Sequence, residues 1–349
     1  MQGTHVVMVG IPFVAIALVI VAVAATVRGQ SGVFSEGDAY ERFMGRWSAR
    51  MAPELVRWAG VRDGEVVLDV GSGTGALAAA VVTAAPSSRV TGIDPASAYV
   101  AVAQGRGLGD HVRFEVGDAQ QLAYADGSFD RTLSLLVLNF IPAAGRAVAE
   151  MIRVTRHGGT VAAAVWDYGE GMEMLRVFWD EAIALDPGME SRDERRMPLC
   201  RKGELAALWR AHRLQDVVES DLTIETRFSS FDDYWAPFLG GQGPAGSHAT
   251  GLADENRVLL RERLRRRLLA GRPDGPITLR ARAWVVRGTV PVDRRRSTSA
   301  ATSIVAGRLR GRQQGARGNI ARAVVFDVHM PVVAGYLPEH TVTGTPERV

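Results

Sequence analysis

The pattern of apolar runs in this chain predicts an α/β fold. The expected architecture is a mostly parallel seven-stranded sheet with helices on both faces and an antiparallel final strand. Three observations carry that expectation. Short apolar runs alternate with helix-length segments between residues 66 and 166, which is the rhythm of βαβ units. The runs at 66–70 and 160–166 are nearly continuous in apolar residues, as in strands buried on both faces. A glycine-rich turn, Gly71-Ser72-Gly73-Thr74-Gly75, follows the first run directly.

Taken in order, Val66-Val67-Leu68-Asp69-Val70 is a buried strand and the Ala- and Leu-rich stretch 76–85 a helix. A strand at 89–93, a helix at 96–104 and a strand at 112–116 follow. A fourth strand covers 129–137 and a helix 143–155. His157-Gly158-Gly159 then turns into a fifth strand at 160–166. Past Trp166 the rhythm changes. Residues 172–184 form a helix with Leu175, Phe178 and Ala182 on one face, and 204–212 a short one. Residues 216–227 alternate as a strand, and 230–239 form a helix with aromatic anchors. The glycine-rich stretch 240–248 is a loop. Residues 254–270 form a helix whose arginines make a solvated face, and 277–290 the last strand, closing the fold near Pro291.

Composition sets limits. Of 349 residues, 47% are hydrophobic and 23% charged, which excludes wholesale disorder. The only cysteine, Cys200, excludes a disulfide framework and a cysteine-built zinc site, and reads as a structural thiol. The net charge is +3, but residues 292–349 hold nine arginines against four acids. The basic character therefore sits in the tail and argues for no nucleic-acid partner of the body.

The chain divides into an apolar segment at 1–30, an α/β domain at 31–291 and an Arg/Gly/Ser-rich tail at 292–349, read as disordered. Residues 6–27 are uncharged and long enough to cross a bilayer. Three readings stay open. A signal peptide lacks its basic n-region, although Ala22-Val23-Ala24 offers a cleavage site. An upstream extension would contribute nothing to the domain. A membrane anchor is supported by Arg28, Arg42, Arg46 and Arg50, which follow the run and would put the domain on the cytoplasmic, inner face.

The glycine turn alone also satisfies a dinucleotide fingerprint, with Asp94 about twenty residues on. Other acids separate the cases. Asp69 lies two residues before the first glycine, where it would repel a pyrophosphate but suit a cationic amino group. Asp94, in Gly92-Ile93-Asp94-Pro95, is placed to grip ribose hydroxyls. Asp118, in Gly117-Asp118-Ala119, can accept from an adenine amino group. All three fall at carboxyl ends of strands, where open α/β sheets bind ligands. An ammonium, a ribose and an adenine without phosphate describe S-adenosylmethionine.

Residues 39–291 resemble a class I S-adenosylmethionine-dependent methyltransferase of the small-molecule, quinone-biosynthesis-like kind, with a Rossmann-like sheet. Val67 to Gly75 resembles that family's first motif, Ile93-Asp94 its ribose-binding acid and Gly117-Asp118-Ala119 its adenine-binding turn. Phe129-Asp130, through Leu135, to Asn139-Phe140-Ile141-Pro142 resembles the fourth strand and its loop. The resemblance implies S-adenosylmethionine as cofactor, held by Tyr40, Asp69, Gly71, Ser72, Gly73, Thr74, Gly75, Asp94, Pro95, Asp118, Ala119 and Leu135, with no metal. It also implies that Tyr40 and Met44, on an N-terminal helix, cover the methionine portion.

Methyl transfer from a sulfonium is an in-line displacement in which positioning does most of the work, and a general base is needed only for a protonated nucleophile. Asp167, after the fifth strand, is the candidate base or substrate orienter, against the reading of a solvated loop carboxylate. Asn139 and Tyr168 share that ligand side, while His111 and His157 precede strands and read as structural. The 240–248 loop carries His248 and is either a closing flap or a surface connection. Trp166, Phe178, Trp179, Tyr234 and Trp235 line a pocket or build the core. The stretch Leu138-Asn139-Phe140-Ile141-Pro142 is not an Asn-Pro-Pro-Tyr-type motif, which favours a small, lipophilic acceptor over a nucleic-acid base. Two alternatives remain, an NAD(P)-dependent oxidoreductase and a non-catalytic S-adenosylmethionine-binding module.

Overall fold

The computed structural model describes residues 41–292. Tyr40, the apolar run 6–27 and the Arg-rich tail from 293 onwards lie outside the described residues. A π-helical turn, Glu41–Gly45, leads into α1 (Arg46–Ala59). Next come β1 (Val66–Val70), α2 (Ala76–Ala84), β2 (Arg89–Asp94), α3 (Ser97–Gln104), β3 (Val112–Val116) and β4 (Phe129–Leu135). The 3-10 turn Leu138–Phe140 precedes α4 (Ala144–Val154) and β5 (Thr155–Trp166). The second half adds α5 (Glu173–Leu185), α6 (Glu204–Ala211), β6 (Gln215–Phe228), α7 (Phe231–Trp235), α8 (Gly243–Gly251), α9 (Asp254–Leu269) and β7 (Ile277–Thr289).

One seven-stranded sheet runs in the order β3-β2-β1-β4-β5-β7-β6. The first five strands are mutually parallel, and β7 lies antiparallel between β5 and β6. The expected mixed architecture is therefore the observed one. β1 pairs with β2 on one side and β4 on the other. The winding reverses there, which opens a crevice beyond the carboxyl ends of these strands. Continuous apolar strands produce the buried sheet: Val67, Leu68, Leu133 and Val161 to Val165 are fully covered. Helix α1 lays Trp47, Met51 and Leu55 on this core and packs against α2.

Three local expectations are corrected. β4 stops at Leu135, not at 137, because Leu136 adopts the left-handed region at φ 63° and gives its amide to Ala164 at 2.8 Å. β5 starts five residues early and runs through His157-Gly158-Gly159, with a register break against β4 between Phe129 and Arg131. The glycine-rich 240–248 segment is not a loop: its second half enters α8, with Pro244 in the first turn and Ala245, His248 and Ala249 buried.

β5 and β6 point the same way, so the chain segments leaving them rise at the edge that carries the glycine turn. They build a helical cap there. Phe43 meets Phe238 edge-on at 5.5 Å, and Phe238 stacks on Phe178 at 4.5 Å. Trp179 lies against His248 at 5.6 Å. These rings are core, as are Trp166, Tyr234 and Trp235. Among the described residues no helix is long and apolar enough to cross a membrane.

Candidate functional site

The site begins with the glycine turn. Gly71, Gly73 and Gly75 all have positive φ, of 75°, 51° and 89°, a region that costs other L-residues strain. At Gly71 space is decisive as well: a Cβ there would stand 2.4 Å from Val137 Cγ1. At Gly73 nothing lies within 4 Å of that position, so the turn presents open space to a ligand. The amides of Gly71 and Ser72 both donate to the Ile93 carbonyl, at 2.8 and 2.9 Å, and fasten the turn to the end of β2.

Asp94 organises the neighbouring wall. Its Oδ2 accepts from the Gly73 amide and its Oδ1 from the Ala96 amide, each at 2.9 Å. Burial raises its pKa, and these two amides oppose the rise. Each oxygen keeps a further lone pair for a hydroxyl. Asp69 is fully buried, and burial, with the Asp94 charge adding to it, pushes it up to about 8. The Ala78 amide opposes this rise more than the Asp94 charge adds to it, although neither carboxylate oxygen has a hydrogen bond of full geometry. Ser72 Oγ and Asn139 Oδ1 are likewise buried and unmet. Buried polar atoms are normally satisfied; of the nine among the described residues that are not, four belong to β1, the glycine turn and the loop after β4, where polar groups from outside the chain can meet them.

The remaining expected residues fall around it. Gly117 donates to the Asp94 carbonyl at 3.1 Å, which docks the β3 turn on β2. Asp118 is exposed and binds the Gln120 amide at 2.8 Å, with Ala119 buried beside it. Pro95 is exposed and Leu135 buried. Thr74 is buried and gives its hydroxyl to Glu41, which also pairs with Arg106 at 2.8 Å. This clasp ties the N-terminal segment to the glycine turn. Tyr40 precedes Glu41 but lies outside the described residues.

Asp167 is no solvated loop carboxylate. It is buried; its Oδ1 accepts from the amides of Gly169 and Glu170 at 3.1 Å, and its Oδ2 pairs with Arg282, whose Nε stands at 2.9 Å. Four donors shared between two oxygens hold the carboxylate in one orientation. Cys200 is buried, its Sγ is 3.3 Å from the Pro198 carbonyl, and burial raises its pKa, as a structural thiol requires.

Sequence reasoning missed Glu41, Arg106 and Arg282. Each is an ordinary charged residue whose partner is remote in the chain: 33, 65 and 115 residues separate Thr74, Arg106 and Arg282 from theirs. Two clefts of about 430 and 310 Å3 lie elsewhere, lined by residues such as Val66, Arg89 and His111, and Arg62, Arg131 and Gly288. The first opens at the amino-terminal ends of β1 and β2, and the second is lined by residues of β4, β5, β6 and β7.

A family model described as a methyltransferase domain matches residues 68–163. The chain is 37% identical over 119 residues to the methyltransferase GfsG of Streptomyces halstedii, covering 33% of this chain and 42% of that protein. It is 35% identical over 119 residues to the ubiquinone/menaquinone biosynthesis C-methyltransferase UbiE of Bdellovibrio bacteriovorus, covering 34% and 50%. The chain thus spans half or less of the curated relatives it matches. Among solved structures, phosphoethanolamine N-methyltransferase 2 of Haemonchus contortus, bound to S-adenosyl-L-methionine, is 15% identical, with 76% of this chain and 62% of that one covered and a TM-score of 0.45. The family match falls on the segment that carries the glycine turn, Asp94 and the turns after β3 and β4. Residues 68–163 form a methyltransferase domain of the class I, S-adenosylmethionine-dependent type.

Proposed function

We propose that this chain transfers a methyl group from S-adenosylmethionine to a small-molecule acceptor by in-line displacement. The observation that carries the reading is the crevice at the β1/β4 reversal, where an open glycine turn meets Asp94 and buried unmet oxygens of Asp69, Ser72 and Asn139. When bound, the cofactor supplies a methyl group on a sulfonium, already activated for transfer. Asp94 offers its free lone pairs to the ribose hydroxyls. The 71–75 turn, with Ser72 and Thr74, lines the amino-acid portion, and Asp69 lies beneath it. Pro95, Asp118, Ala119 and Leu135 frame the adenine. Asp167, held by Arg282, orients the acceptor side, so that positioning supplies the rate enhancement.

Calorimetric titration of the full chain tests this. S-Adenosylmethionine and S-adenosylhomocysteine should bind and NADH should not. Asp94→Ala should weaken both about 10- to 100-fold, the effect of losing charge-assisted hydrogen bonds. Binding of NADH alone would overturn the reading in favour of an oxidoreductase.

A lipophilic acceptor is supported by Phe140, 41% exposed in the turn after β4, and by the quinone biosynthesis for which one relative is named. The 6–27 run, acting as an anchor, would hold the domain at the inner face of the membrane, near such acceptors. Recovery of the full chain entirely in the soluble fraction of lysed cells would rule the anchor out.

A further inference from the structure

The cleft of about 310 Å3 has a lining that methyl transfer does not use. It lies at the other end of the sheet from the cofactor crevice: Arg131 in its wall pairs with Val67 near the start of β1, whereas the glycine turn follows Val70 at the end of that strand. Register builds the floor. Arg131 of β4 pairs with Thr160 of β5, Thr160 with Thr289 of β7, and Arg287 of β7 with Val218 of β6. Cross-strand partners, and residues two apart on one strand, project from the same face. Arg131, Thr160, Thr289 and Arg287 therefore stand together on one face. The carboxyl end of α1 lies over that face, and Arg62 follows it on the loop to β1. Arg131 Nη1 donates to the Ala59 carbonyl and Arg287 Nη1 to the Trp58 carbonyl, each at 2.7 Å, which suits the negative end of a helix. Capping uses only part of these side chains. Arg131 is 8% exposed and also gives its Nε to Glu65, but its Nη2 donates to no group among the described residues. The same holds there for Nε and Nη2 of Arg287, for the whole Arg62 guanidinium and for the hydroxyls of Thr160 and Thr289. The lining thus carries three guanidiniums against one carboxylate, Asp216, and Glu65 is committed to Arg131. Like charges gathered in a recess repel one another and focus a positive potential in it.

We propose that this cleft binds the phosphate group of a small soluble molecule, at a site separate from the cofactor crevice and independent of the methyltransferase reading. The donors arrive from three elements, β4, β7 and the loop after α1, with two hydroxyls on the floor between them. A tetrahedral dianion offers oxygens in as many directions and charge enough for more than one guanidinium. A carboxylate has a single charge and two oxygens in one plane, and would leave most of these donors unmet. Arginine is suited to this task because its planar fork keeps N–H groups free for a phosphate after one edge has been spent on the fold. A cleft of about 310 Å3 is at the lower end of the range for ligand pockets, which fits a small phosphate compound.

Inorganic pyrophosphate is the probe. It is titrated calorimetrically into the full chain, with ionic strength held constant by chloride. The wild type should bind it saturably, with a Kd of about 1 mM or below. Arg62 makes no side-chain hydrogen bond among the described residues, so Arg62→Ala should leave Tm in chloride within about two degrees of wild type. It should weaken pyrophosphate about tenfold, the worth of a charge-assisted hydrogen bond, and Arg62→Glu should abolish binding. Thr160→Val, of the same shape without the hydroxyl, should weaken it about fivefold. Arg210→Ala controls for overall charge. It removes an exposed arginine of α6, which packs on the other face of the sheet against Gly288, and should leave the affinity within about twofold of wild type. Three results would overturn the proposal: no saturable binding by the wild type, binding that both Arg62 variants leave unchanged, or an equal loss in Arg210→Ala. Vesicles of phosphatidylcholine and phosphatidic acid separate the sources of phosphate. If they sediment the wild type but not Arg62→Glu, while pyrophosphate fails to bind, the phosphate is a lipid headgroup and the soluble ligand is overturned.

Discussion

Single buried groups set the pH response of this molecule. Glu194 is 5% exposed, accepts from Trp179 Nε1, and is pushed by burial up to about 7 from an ordinary 4.5. The folded state thus binds this proton more tightly than the unfolded chain. Its contribution to stability is fully present below about pH 4.5, declines as pH rises, and is lost above about pH 7. The span of the shift corresponds to about 3 kcal/mol. Glu194→Gln keeps an acceptor for the indole and never ionises. It should flatten the fall in stability between about pH 5 and 7 and raise Tm above pH 7.5 by several degrees. Thermal melts of both proteins across that range check this; parallel curves would mean that another group carries the proton. Glycine sets a second residue-scale constraint. Gly71→Ala should cost about 2 kcal/mol or more and abolish S-adenosylhomocysteine binding, because it combines a forbidden φ with a clash against Val137. Denaturant titration and calorimetry would read both effects.

Among the elements, α8 shows what local pattern cannot reveal. Gly243-Pro244-Ala245-Gly246-Ser247-His248 lacks an apolar stripe, and its glycines suggest a loop. The chain is helical there because Pro244 starts the turn and Gly246 lets it lie on the chain: a Cβ at 246 would stand 2.9 Å from the Gly241 carbonyl carbon. Gly246→Ala should therefore destabilise by about 1 kcal/mol or more, although alanine is the better helix former by a similar amount. A rise in Tm would show that α8 has room to shift. The parallel strands were legible for the opposite reason. Val66 to Val70 and residues 160–166 are mostly apolar, and each turn or helix between the strands is short. The glycine turn, Asp94 and the Gly117-Asp118-Ala119 turn were legible because each is contiguous with its strand. The Glu41–Thr74–Arg106 clasp and the Asp167–Arg282 pair were not, because only the tertiary fold brings their members together.

At the scale of the whole molecule, β7 is the keystone of the second half. It bonds to β5 along one edge and to β6 along the other, while among the described residues β6 has no other strand neighbour. A chain ending at residue 276 would leave two long, partly apolar edges unpaired. It should fail to give the cooperative unfolding transition of the full chain and should aggregate at micromolar concentration. Circular dichroism melts and light scattering would show this. A cooperative, monomeric truncated protein would mean that the parallel five-strand half is stable unaided.

The inside position of the last strand also dictates the order in which the protein can be assembled during synthesis. Each strand from β2 to β5 pairs with a strand already emerged from the ribosome, so five of the seven strands can assemble while translation continues. β6 must wait: its one partner among the described residues is made some fifty residues later, after the whole 229–276 cap segment. At ordinary elongation rates of about 5–20 residues per second, β6 is exposed for several seconds on every chain made. In that interval a chaperone or a second nascent chain competes with β7 for the same edge.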